Sequence, residues 1–148
     1  MRKFIVTAIF VLFNSLIVTI HTNAECTDGK CDNGYRIKTS EDGVIFRGYS
    51  KNSKYGQGTM KWPNGDEYVG EWKDDRMYGQ GTMTWANGDV YEGEWKDDIM
   101  NGQGAYIWAN GDEYTGQWKD GEQDGQGTFA SGNGEIYSGL FINGELSR

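Results

Sequence analysis

Tyr68-Val69-Gly70-Glu71-Trp72, then Gly79-Gln80-Gly81, then Asn87-Gly88: this stretch decides the fold, because its pattern returns every 23 residues. The Gly-Gln-Gly triplet stands at 56–58, 79–81, 102–104 and 125–127. Tyr68, Tyr91, Tyr114 and Tyr137 keep the same step, as do Gly70, Gly93, Gly116 and Gly139. So do Trp72, Trp95, Trp118 and Phe141, and the Asn-Gly pairs at 64–65, 87–88, 110–111 and 133–134. A period this short describes a stack of small units, each completed by its neighbour, and not a globular enzyme domain.

One unit spells out a hairpin. From Asp66 to Lys73 the residues alternate, with Tyr68, Gly70 and Trp72 on one face and Glu67, Val69 and Glu71 on the other. A period of two is a strand. Lys73 to Tyr78 reads as a polar loop closing at Gly79, and Gly81 to Trp85 as a second strand. Asn87-Gly88 then turns the chain into the next unit. The expected fold is all-β: an elongated, single-layer antiparallel β-meander built from 23-residue hairpins. Bare glycines at 70 and 81 let neighbouring aromatic rings lie against the backbone, so the Tyr and Trp columns should stack into a ladder. Asp42 to Gly48 echoes the turn and first strand, and Ser131 replaces the second Trp near the other end; both ends look like caps. Whether Gly34 to Ser40 forms one more strand is left open by the pattern.

The N-terminus is a different material. Arg2 and Lys3 precede an apolar run from Phe4 to Ile20, and Thr22-Asn23-Ala24 follows with small residues at alternate positions. This order predicts a signal peptide over residues 1–24, cleaved after Ala24, and a secreted or periplasmic protein. The alternative is a membrane anchor left uncleaved over residues 4–20, though that run falls short of the roughly 20 residues a span needs. Cys26 and Cys31 open the mature chain, with Asp28-Gly29 between them. In an oxidising compartment the pair predicts a disulfide that clasps an N-terminal cap over residues 25–41, ahead of the array at 42–148. Two thiols alone do not make a zinc site.

From Glu25 onward, 12 basic residues face 22 acidic ones, a net charge of −10. Such a surface repels phosphate backbones and excludes nucleic acid as a partner. His21, the only histidine, lies within the predicted signal. That excludes Ser-His-Asp and Cys-His catalysis from the mature chain. The Gly-x-Gly triplet lacks the third glycine and Lys-Ser/Thr of a phosphate loop. Carboxylates recur in columns, at Asp66, Asp89 and Asp112 after the turns and at Asp74-Asp75, Asp97-Asp98 and Asp120 in the loops. A catalytic pair would occur once and break the repeat, and turn chemistry accounts for these acids better than calcium does. No enzyme, cofactor or metal is expected.

Tyr-x-Gly-x-Trp, Gly-x-Gly and the Asn-Gly before the next Tyr resemble the MORN repeat over about residues 42–146, in three full copies and two partial ones. The resemblance implies an open hairpin array acting as an adaptor, with protein contact, self-association or lipid binding proposed for its members. Expected partners are therefore another protein or a second copy. The alternative is a membrane surface touched by loop lysines Lys73, Lys96 and Lys119, against which the net charge argues. A third reading, a carbohydrate-binding or glycan-cleaving secreted protein, rests on aromatic stacking and abundant carboxylates. Candidate contact residues are the aromatic stripe (Tyr68, Trp72, Tyr91, Trp95, Tyr114 and Trp118) and the apolar tips Arg76-Met77-Tyr78 beside Ile99-Met100.

Overall fold

The structure, a computed structural model, describes residues 33–51 and 55–147. The predicted signal peptide and the Cys26–Cys31 pair lie outside the described residues. Among the described residues, eleven antiparallel strands follow one another in chain order in one sheet. They are β1 (Asn33–Thr39), β2 (Ile45–Lys51), β3 (Tyr55–Lys61), β4 (Glu67–Lys73), β5 (Arg76–Thr84), β6 (Val90–Lys96), β7 (Ile99–Ile107), β8 (Glu113–Lys119), β9 (Glu122–Ala130), β10 (Ile136–Ile142) and β11 (Glu145–Leu146). No helix occurs among the described residues. With a strand spacing of about 4.8 Å the ribbon is about 48 Å long. The segment left open by the pattern is β1, which pairs with β2 from Asn33↔Lys51 to Thr39↔Ile45.

Two turn types alternate, and they mark the two long edges of the ribbon. The loop expected from Lys73 to Tyr78 is not there. Asp74 and Asp75 alone reverse the chain, at φ of 50° and 63°, and Lys73 pairs directly with Arg76. Two consecutive positive φ values are the requirement of a tight two-residue hairpin, and aspartate tolerates them better than most side chains. Asp97-Asp98, Asp120-Gly121 and Asn143-Gly144 repeat the arrangement. The Asn-Gly pairs do turn the chain at the other edge, in a wider form. Gly88 donates to the Trp85 carbonyl at 2.9 Å and Trp85 donates to that of Asp89 at 2.9 Å, leaving three residues in the loop. Gly88 takes the left-handed position, φ 95°, that such a loop ends on.

The extra length of β5 over β4 is absorbed in a bulge. Gly70 faces Gly81 and Trp72 faces Met77, so one residue of β4 opposes three of β5. Gly79, at φ 67°, makes the kink. The Glu71 carboxylate caps it, accepting from the Gln80 amide at 3.1 Å. Glu94 does the same for Gln103 at 2.8 Å, and Gln117 for Gln126 at 2.7 Å. The residue before the tryptophan of Tyr-x-Gly-x-Trp is thus a backbone cap, a role that its outward position in the alternation does not reveal.

The core lies on one face. Tyr68, Tyr91 and Tyr114 are fully buried at 0 % exposure, and Trp72, Trp95, Trp118, Met77, Met83 and Phe141 are buried with them. The rings form a herringbone that crosses every repeat boundary. Trp95 stands edge-on to its own Tyr91 at 5.1 Å and to Tyr68 of the preceding unit at 5.5 Å. Trp118 meets Tyr91 at 5.3 Å, and Phe141 meets Tyr114 at 4.9 Å. Edge-to-face contact is the preferred geometry of such rings. Each polar tip is satisfied. Tyr68 donates to the Glu71 carbonyl at 3.0 Å, and the Trp72 indole to that of Gly58 at 3.3 Å.

Candidate interaction surface

The herringbone leaves a second aromatic row incompletely covered. Trp62, Trp85 and Trp108 sit one per repeat where a strand enters a three-residue turn, half-buried against the core. Trp85 stacks on Tyr106 at 5.3 Å, and Tyr106 lies 4.6 Å from Trp108, which meets Phe129 at 5.8 Å. A residue at a strand end is covered by its neighbours on one side only, so these rings keep accessible surface. The sequence carries their signal in the same 23-residue step, in which Trp85 reads as a strand residue and not as a contact residue.

Beside this row runs a line of carboxylates fixed by the turns. Asp66 Oδ1 accepts from the Ala86 amide, Asp89 Oδ1 from Ala109 and Asp112 Oδ1 from Gly132, each at 2.8 Å. Each turn therefore hangs on the next. Asp89 also accepts from the Tyr106 hydroxyl at 2.9 Å. The incoming amide, then Asn87 and Tyr106, hold the Asp89 carboxyl below its usual range; the Gly132 amide and Asn110 do the same for Asp112. Tyr106 is pushed up to about 12, first by burial and then by Asp89.

The residues expected to make contact divide differently. Tyr68, Tyr91 and Tyr114 are sealed in the core and offer nothing to a partner. Trp72, Trp95 and Trp118 are also core, each tied to a backbone carbonyl. The expected apolar loop tips are a correction: Arg76, Met77 and Tyr78 lie on β5, and Ile99 and Met100 on β7. Because the turn takes only two residues, Met77 is carried inward opposite Trp72, and Met100 opposite Trp95, half-buried. Arg76, Tyr78 and Ile99 remain exposed. Arg76 reaches Asp97 of the next turn at 3.8 Å, and Lys73 lies 4.6 Å from the Tyr78 ring centre. The loop lysines are strand ends: Lys73, Lys96 and Lys119 close β4, β6 and β8.

Nothing among the described residues forms a group of three or more His, Cys, Asp or Glu suited to a metal ion. No helix among them is long and apolar enough to cross a membrane. The paired turn acids are accounted for by left-handed backbone.

A unit that is one hairpin, capped at its bulge and closed only by the ring of the next unit, defines a hairpin-repeat array. The family model of the MORN repeat matches residues 49–67, 68–90, 91–113 and 114–136, and the chain belongs to the MORN-repeat family. No curated protein matches the chain. Repeats of this family generally serve as protein- and membrane-interaction modules and are generally non-catalytic.

Proposed function

We propose that this chain is a non-catalytic scaffold that works outside the cytoplasm, freed by cleavage near Ala24, and binds a protein partner along its aromatic face. The observation that carries this reading is the half-buried row of Trp62, Trp85 and Trp108 beside fixed carboxylates. Large flat rings with little conformational entropy to lose, next to a polar rim, are the make-up of a contact surface. An acidic rim disfavours anionic lipid, which sets the membrane reading second.

The test begins with the full chain expressed in a secreting host. A mature protein found outside the cell with Glu25 at its N-terminus supports the compartment; full-length protein in the membrane fraction sinks it. Pull-down from the secreted fraction should then recover a partner with wild type and lose it with Trp85→Ala/Trp108→Ala. Pelleting with anionic vesicles, unaffected by that double substitution, would replace the protein partner with a membrane.

A second reading, self-association, is favoured by the last hairpin, which exposes apolar side chains on both faces of the sheet: Tyr137 and Leu146 on the core face, Ile136, Leu140 and Ile142 on the other. Ile136, Tyr137, Leu140 and Ile142 of β10 and Leu146 of β11 are all exposed, and Tyr137 is 45 % exposed where the other tyrosines of its column are buried. Sedimentation velocity of wild type against Tyr137→Ser/Leu140→Ser decides it: a dimer that becomes a monomer supports it, and a wild-type monomer at all concentrations removes it.

A further inference from the structure

The tryptophan row has a pitch, and the pitch selects the shape of what can lie on it. Trp62, Trp85 and Trp108 are each one repeat apart, which is two strands. Two strand spacings come to about 9.6 Å. A polypeptide laid along the array, across the strands, presents one side chain to each repeat only if its own repeat matches this length and returns to the same side. A polyproline-type helix advances about 9.3 Å in three residues and completes one turn in doing so. A β-strand covers a similar distance in three residues but points its third side chain away, because its side chains alternate. An α-helix needs about six residues for the distance, and six residues leave the side chain about 240° off its starting direction. Only the first form keeps step.

Charge selects what those side chains are. The five three-residue turns span residues 40–44, 62–66, 85–89, 108–112 and 131–135. They carry Glu41, Asp42, Asp66, Asp89, Asp112 and Glu135, and no lysine or arginine. Lys61, next to the second turn, is committed to Glu67 at 2.7 Å. Asp66, Asp89 and Asp112 are each immobilised by the amide of the following turn, so a ligand cation finds them already placed. A cation over an indole face and beside a carboxylate gains from both.

We propose that the row Trp62, Trp85, Trp108, with the carboxylates of Asp66, Asp89 and Asp112, seats an extended polyproline-type segment carrying a lysine or arginine at every third residue. The proposal rests on the protein-partner reading and deepens it by naming the partner's shape and period. Three cations over seven residues fill the row. Ser131 takes the tryptophan position of the last of these turns, so a fourth cation should add little.

The experiment is a titration of the protein secreted by a host expressing the full chain, followed by tryptophan fluorescence, with four synthetic peptides. One repeats Pro-Pro-Arg four times. Two controls have equal length and four arginines, one with the arginines at every second residue and one with them contiguous. The fourth repeats Pro-Pro-Glu. Asp66→Asn/Asp89→Asn/Asp112→Asn removes the charge while leaving an oxygen to accept each turn amide. Trp85→Ala removes one ring, and circular dichroism verifies that each variant is folded. The expected result is binding of the Pro-Pro-Arg peptide at least tenfold tighter than either arginine control, and none of Pro-Pro-Glu. The triple variant and Trp85→Ala should each lose about tenfold. Equal affinity for all three arginine peptides would show charge without period and overturn the proposal, as would no binding of Pro-Pro-Arg. Should the partner captured from the secreted fraction bind the triple variant as tightly as wild type, this inference fails while the scaffold reading stands. Failure to capture any protein, with vesicle pelleting instead, fails both.

Discussion

The Tyr68 ring lies so close over Gly81 that a Cβ built on that glycine would come within 2.2 Å of the tyrosine hydroxyl oxygen and 2.5 Å of the ring. Gly104 stands in the same relation to Tyr91, and Gly127 to Tyr114. The herringbone is possible because those strand positions are bare.

Gly81→Ala is therefore a steric substitution into a fully buried ring. Its expected cost is about 3 kcal/mol, at the upper end of core overpacking. Gly134→Ala is the control: φ there is 95° and nothing lies within 4 Å, so only backbone strain of about 1 kcal/mol applies. Urea midpoints of the two variants should fall in that order. If Gly81→Ala proves no worse than Gly134→Ala, the close ring packing is wrong.

The bulge cap makes a prediction with a natural control inside the chain. Glu71 and Glu94 do the work that Gln117 does in the next copy, so a carbonyl oxygen there suffices. Glu94→Gln should leave stability within about 0.5 kcal/mol of wild type, whereas Glu94→Ala should cost about 1 kcal/mol by stranding the Gln103 amide. Thermal melts of the pair test it; equal losses would assign the role to charge rather than to the hydrogen bond.

High pH should dismantle the array cooperatively. Burial raises Tyr68, Tyr91 and Tyr114 above the ordinary tyrosine value of 10.0, and Tyr106 is pushed up to about 12. The folded state holds these protons longer than the unfolded one. Stability from this source is thus complete below pH 10 and declines as pH rises beyond it through the folded values. Tyrosinate absorbance should appear together with loss of the β-sheet signal, above pH 10. Absorbance from all the tyrosines at pH 10 with the sheet intact would contradict the sealed core.

Acid works on the turn ladder with the opposite sign. Asp89 and Asp112 are held below 3.8 by backbone amides, so their contribution is complete above that value and is lost as pH falls through the folded pKa. Below pH 4 the melting temperature should fall, and Asp89→Asn/Asp112→Asn should flatten that limb. An unchanged acid limb in the variant would mean that these carboxylates add nothing to stability.

Much of this was legible beforehand, for a reason particular to repeats. The columns of Tyr68, Gly70 and Trp72 state the strand, its inward face and the size of its side chains, and four repetitions leave no ambiguity of register. The turn boundaries were harder. Asp74-Asp75 carries no glycine, so the six residues from Lys73 to Tyr78 looked like a loop, and two-residue turns built on left-handed aspartates leave no mark in composition. The misplacement moved Met77 from a surface tip to the core. Trp85 and Trp72 are equally periodic, yet one is buried and the other only half so.

The sequence alone determined the unit, its strand faces and its family, because a period of two nested in a period of 23 can be satisfied by only one arrangement of hairpins. Only the tertiary structure decided which aromatic row is core and which is surface. Burial of a ring depends on whether the next strand covers it from both sides. Tyr91, the second residue of β6, has a paired strand on each side, at Met83 of β5 and Tyr106 of β7, while Trp85 stands one residue past the end of β5. That difference is set by where each turn closes, a matter of φ at two or three residues, and periodicity does not encode it.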